Sequence, residues 1–152
     1  MKNNIKISGT IIEIDRKYVK IVTSVDNSII KIKVPSYIIS RNLFCIGKQY
    51  VFSGRVAKSN KNSVEIDYRS ALPLTDNNTK ERNYFEVEGA ITDVIDNSFI
   101  YFNTQEEQNL LLCLPTLEVL SNEIQKCKYV SLKIWGIYQN NTLQITGISK
   151  LN

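Results

Sequence analysis

Residues 5–69 and 85–149 align on one another with an offset of about 80. Ile7-Ser8-Gly9-Thr10-Ile11 answers Val87-Glu88-Gly89-Ala90-Ile91, and Val34-Pro35-Ser36 answers Leu114-Pro115-Thr116. Val64-Glu65-Ile66 answers Leu143-Gln144-Ile145, and Tyr50-Val51 answers Tyr129-Val130 at an offset of 79. Glycine and proline hold the register while most other positions have changed. An internal repeat restricts the chain to two copies of one small unit. A unit that small buries its core only marginally, so the copies are expected to pack on each other.

Periodicity places the elements within each copy. In the first, 5–15 is β-branched with a mid-strand glycine, Gly9, which suits a bulge or bend. Residues 18–23 alternate, with Val19 and Ile21 inward and Tyr18 and Lys20 outward. Ile30-Lys31-Ile32-Lys33-Val34 alternates as a half-buried strand. Pro35-Ser36 ends it, and a short helix-like connector spans 36–45. Strands follow at 48–58 and 63–69. The second copy repeats the order at 84–95, 98–103 and 109–114, a helix at 116–126, then 128–138 and 142–149. Leu117, Leu120 and Ile124 give that helix its spacing.

Three strands, a short helix and two strands in each copy resemble the OB-fold, a five-stranded Greek-key barrel. The expected architecture is all-β: two tandem OB-fold barrels, each with a short helix between strands 3 and 4. The first, basic barrel covers 1–70, a linker covers 71–83, and the second, weakly acidic barrel covers 84–152. An SH3-like barrel, which lacks the helix, is the structural alternative. The resemblance is to tandem OB-fold proteins of the single-stranded DNA-binding type, at the level of fold.

The composition narrows the chemistry. There is no histidine, so the commonest general base and metal ligand is missing. Neither a phosphate-cradling G-x4-G-K-[ST] loop nor an H-E-x-x-H helix occurs. Asp15, Asp26 and Asp67 form no evident cluster. These readings point to a protein without catalysis, cofactor or metal. Cys45, Cys113 and Cys127 lack zinc or redox spacing and are read as reduced structural residues, fitting a cytoplasmic compartment. No apolar run reaches the roughly 18 residues of a membrane span, and Met1-Lys2-Asn3-Asn4 does not resemble a signal peptide.

The OB resemblance implies binding on the face of strands two and three, flanked by the loops joining strands one to two and four to five. In the first copy that face is basic. Lys20, Lys31 and Lys33 point outward there, Arg16 and Lys17 sit in the first loop, Lys58 and Lys61 in the last, and Arg55 on strand four. Tyr18 shares the parity of Lys20 and offers a ring for a base to stack on. Residues 1–75 carry 13 Lys plus Arg against 5 Asp plus Glu, a net of +8; residues 76–152 carry 6 against 10, a net of −4. Such asymmetry suggests that the basic half meets a polyanion. The same lysines could also keep a half-exposed sheet soluble and unpaired.

In the second copy Phe99, Tyr101 and Trp135 point outward, and its loops carry Glu106 and Glu107. That combination suits a protein contact, in a homodimer or with a partner. The leading expectation is a non-catalytic single-stranded DNA-binding protein serving replication, recombination or DNA transfer, with RNA chemically almost as acceptable. The alternative is an adaptor whose barrels hold a larger assembly together.

Overall fold

The computed structural model describes residues 2–75 and 81–151. Among them the elements run β1 (Asn3–Ile14), β2 (Tyr18–Thr23), β3 (Ile29–Lys33), α1 (Ser36–Ile39), β4 (Gln49–Ser59) and β5 (Val64–Pro73). There follow β6 (Asn83–Ile95), β7 (Phe99–Thr104), β8 (Leu110–Cys113), α2 (Glu118–Gln125), β9 (Ser131–Gln139) and β10 (Thr142–Lys150). The chain is all-β, as its alternation implies. Among the described residues no helix is long and apolar enough to cross a membrane.

Several expected elements shrink, the second helix to Glu118–Gln125 and the eighth strand to Leu110–Cys113 among them. The connector is helical only over Ser36–Ile39, because Ile38 and Ile39 are poor helix formers and Asn42 then turns left-handed at φ 54°. β9 starts at Ser131 rather than 128, since Tyr129 adopts φ 66° just ahead of it. The expected linker is also shorter: β5 continues to Pro73 and β6 begins at Asn83. The polar run Asp76-Asn77-Asn78-Thr79 lies outside the described residues.

The first five strands close on themselves. β1 pairs antiparallel with β2 and β4, β2 with β3, and β4 with β5, while β3 meets β5 in parallel. A parallel pair needs a crossover, here the segment through α1 and β4. The same pairings recur among β6–β10: β6 with β7 and β9, β7 with β8, β9 with β10, and parallel β8 with β10. The irregularity between Ile11 and Glu13 in β1 recurs between Ile91 and Asp93 in β6.

The conserved register of glycine now has a reason. A Cβ at Gly9 would collide with the Val22 carbonyl oxygen, and one at Gly89 with that of Asn103. Only glycine lets the long first strand press so close to the second. One sequence correspondence shifts: Gly9 pairs with Tyr50 and Gly89 with Leu132, so Tyr50 answers Leu132 and not Tyr129.

The copies join through β1 and β6, in the register Asn3–Val87, Ile5–Phe85 and Ile7–Asn83. At an offset of 80 these are Asn3 and Asn83, Ile5 and Phe85, Ile7 and Val87, so the register maps onto itself under exchange of the copies. A pseudo-two-fold axis therefore passes through the Ile5–Phe85 pair, the arrangement of an isologous dimer. The ends match too. The Ser8 N–H donates to the Arg82 carbonyl and the Glu88 N–H to the Lys2 carbonyl, each at 2.8 Å.

At the ends of this pairing, an asparagine side chain, buried for Asn3 and half-buried for Asn83, bonds to the fourth strand of its own copy. The Asn3 amide donates to the Val56 carbonyl at 3.0 Å and accepts from the Val56 N–H at 2.8 Å. Asn83 does the same to Tyr138, at 2.7 and 2.8 Å. Each final hairpin then leans on the other copy. Ser59 Oγ donates to the Leu111 carbonyl at 2.6 Å; in the mirrored junction Tyr138 Oη donates to the Ile29 carbonyl at 2.7 Å and the Asn140 N–H to Asp26 Oδ2 at 2.7 Å. Burial alone would raise the Asp26 pKa, but hydrogen bonds from Asn140, Ser28 and Thr23 outweigh it and hold the carboxyl below its usual value.

Two outcomes follow. Asn3→Ala and Asn83→Ala each strand a backbone N–H and a carbonyl, and each is expected to lower stability by about 2–3 kcal/mol in urea unfolding. Because the folded-state pKa of Asp26 is depressed, its contribution is present above about pH 4 and is lost as pH falls through the folded value. Asp26→Asn is therefore expected to flatten the loss of stability between about pH 5 and pH 3 relative to the wild type.

Candidate nucleic-acid interface

Alternation turns Val19, Ile21, Ile30 and Ile32 into the core of the first barrel, which leaves their neighbours outward. Across β2 and β3, Tyr18 stands opposite Lys33 and Lys20 opposite Lys31. Lys31 Nζ lies 4.1 Å from the Tyr18 ring centre and Lys20 Nζ 5.7 Å, both within cation–π range. Partial burial, with the Asp15 and Glu13 carboxylates nearby, pushes the Tyr18 phenol up, so it is neutral at neutral pH. Arg16 and Lys17 are exposed in the turn just before Tyr18. Lys17 and Lys33 line a cleft with Pro35, Asp67 and Tyr68.

Cross-strand neighbours temper this basic surface. One row reads Glu13, Lys20, Lys31, Glu65, Lys58 across β1, β2, β3, β5 and β4. A second reads Tyr18, Lys33, Asp67, Arg55. Lys20 pairs with Glu13 at 3.5 Å. Each row therefore keeps a net charge of only +1, three lysines against two carboxylates in the first and two cations against one in the second. The linear charge count could not show this, because the carboxylates that matter sit on strands distant in sequence.

Arg55 departs furthest from the expectation of an unengaged cation. Its Nη2 meets Asp67 Oδ2 at 2.6 Å, and its Nη1 meets Glu107 Oε1 at 2.6 Å and also Glu106. The Asp67 hydrogen bond, reinforced by the charges of Glu107 and Glu106 and opposed by burial, raises the guanidinium pKa further. Glu106 and Glu107, placed by the sequence in a loop of the second copy, fold over onto the first. Lys58 stands opposite Glu65, and Lys61 leaves its own barrel to lie 5.6 Å from the Phe99 ring centre of the second copy.

The sequence matches no protein-family model, and no curated protein matches it significantly. In structure it is similar to the wild-type single-stranded DNA binding protein of Thermus aquaticus, with a TM-score of 0.69 at 12% identity over 99% of this chain and 93% of that one. A deletion mutant of the same protein gives 0.67 at 12% identity over 99% and 95%. The chain thus has the fold of single-stranded DNA-binding proteins, the OB-fold barrel that the sequence resembles.

The second-copy aromatics do not gather into one patch. Phe99 and Tyr101 stand outward on β7 opposite Cys113 and Leu111, in the places of Tyr18 and Lys20. Trp135 lies on β9 opposite Glu86, its indole packed over Gly147 and Lys133 Nζ 5.9 Å from its ring. Phe99 pairs with Ile95 and Trp135 with Glu86, nine residues apart along β6 and so separated by up to about 30 Å. Cys45 is exposed, Cys113 half-buried and Cys127 buried, all three as free thiols; burial pushes the Cys113 thiol up.

Proposed function

We propose that this protein binds single-stranded DNA without catalysis, through two tandem OB-fold domains at 1–70 and 84–152. The observation that carries the reading is the outward quartet of Tyr18, Lys20, Lys31 and Lys33 on β2 and β3, with the Lys31 and Lys20 amines over the Tyr18 ring and Lys33 opposite it on the neighbouring strand. An unpaired strand needs cations for its phosphates and a flat face for its bases, and needs both within one nucleotide's reach. Arg16 and Lys17 extend the cationic surface on one side. On the other, Lys58 and Lys61 carry it along the β4–β5 hairpin toward Phe99 and Tyr101. The likeness to a single-stranded DNA binding protein over nearly the whole chain supports the same reading. Replication, recombination or DNA transfer are the processes in which such a protein would serve.

The adaptor reading asks for one apolar surface, and the separation of Phe99 from Trp135 weakens it. Lys133 and Glu86 around Trp135 would instead give a partner a mixed polar and aromatic contact on β9.

Labelled single-stranded DNA, single-stranded RNA and duplex are to be titrated at several salt concentrations. Neutralising about five phosphates on a single strand gives a slope of log K against log salt of about −3.5. Absence of binding at low salt refutes the proposal. Replacing Lys20, Lys31 and Lys33 together by Glu is expected to abolish binding while the circular dichroism of the fold persists. Tyr18→Ala is expected to weaken binding by about 1–3 kcal/mol and Tyr18→Phe by little, since the ring face and not the hydroxyl carries stacking.

A further inference from the structure

The junction between the copies is built twice, and its two versions differ in what the carboxylates bind. At each, the loop between the second and third strands of one copy grips the last hairpin of the other through a carboxylate. In one, Asp26 accepts from the Asn140 backbone N–H, and the Tyr138 hydroxyl adds a hydrogen bond to the Ile29 carbonyl. In the other, Ser59 Oγ bonds the Leu111 carbonyl, and the loop between β7 and β8 additionally sends Glu106 and Glu107 to Arg55. The place of Arg55 in the second copy is held by Ile137, since Gly54 and Gly136 stand opposite Ile5 and Phe85 respectively. One junction therefore closes without an arginine, and the ionic cluster is an addition to the other.

That cluster is overfilled. A single guanidinium already hydrogen-bonded to Asp67 within its own barrel faces two further carboxylates, three negative charges to one positive. Glu106 is the loosest of them, its side chain 68% exposed, and exposed ion pairs hold weakly. Arg55 shares a cross-strand row with Asp67, Lys33 and Tyr18, and lies two strand spacings, roughly 10 Å, from Lys33. Carboxylate and phosphate present the same paired oxygens to a guanidinium fork.

We infer that the Glu106–Glu107 loop of the second copy acts as an internal stand-in for phosphate, occupying Arg55 until a nucleic-acid strand laid across β2, β3, β5 and β4 displaces it. This rests on the proposed single-strand binding, and it deepens that reading by naming a competitor carried in the same chain. When the loop leaves, Asp67 keeps one edge of the guanidinium and the other turns to the ligand. The resting protein then binds less tightly than its cation count implies, and a strand long enough to reach Arg55 gains a contact that a shorter one lacks.

The test compares labelled oligo-dT binding by the full chain, by Glu106→Gln with Glu107→Gln, and by Glu118→Gln with Glu123→Gln. The last pair removes equal charge from the exposed surface of α2. The loop variant is expected to bind at least five-fold more tightly than wild type and clearly more tightly than the α2 variant. Adding Arg55→Ala to the loop variant should erase the gain. Glu106→Gln alone, which keeps the Glu107 contact and so the junction, should give a smaller gain of the same sign. If the wild type binds and the loop variant binds no better than the α2 variant, the inference is overturned while single-strand binding stands. If neither wild type nor loop variant binds at low salt, both fall. Binding by the loop variant alone would support the competitor in its strongest form.

Discussion

Each copy offers the first half of its first strand to the other, and the rest of the molecule is arranged around that pairing. β1 and β6 would otherwise be edges exposing unpaired N–H and C=O groups, a known route to aggregation. Pairing them covers both edges at once, and the sheet continues from one copy into the next. The axis through Ile5 and Phe85 also fixes where the final hairpins land, because exchange of the copies carries each hairpin onto the loop of the other. The buried side chains of both copies form one core cluster, and the copies are held at the centre by backbone bonds and at the flanks by Ser59, Asp26 and Tyr138.

The fold was legible because it is written in features that survive divergence. Alternation of apolar residues reports strand faces directly, and Gly9 and Gly89 mark where a backbone approaches too closely for any side chain. What failed were lengths and capping. Tyr129 in a left-handed conformation could not be read from a tyrosine, and the match of Tyr50 to Tyr129 was one of side-chain identity only. The Asn3 and Asn83 amides lay just outside the aligned ranges, although their spacing of 80 was present in the sequence.

The site was legible by strand and illegible by neighbour. Parity placed Tyr18, Lys20, Lys31 and Lys33 on one face because outwardness is local to a strand. Whether a lysine meets water or a carboxylate depends on cross-strand register, which a net charge cannot carry. Glu65 and Asp67 were ordinary alternating residues of β5 until the parallel pairing with β3 set them beside Lys31 and Lys33. On this face the cations therefore stand in two rows with carboxylates among them, each a net +1, and most of the +8 of the first 75 residues lies elsewhere.

That mixing of charge bears on how a strand would be held. A groove of unopposed cations would bind any polyanion tightly and release it slowly. Rows that keep a net +1 hold phosphates through several weak contacts, each screened by salt, so affinity has to come from the number of contacts and from stacking. Division of charge between the copies serves the same end. Had Glu106 and Glu107 made no ion pair, they would only have repelled the ligand at long range. Folded against Arg55, they lie where a phosphate would have to compete with them, and the second copy sets how much of the first copy's charge is available.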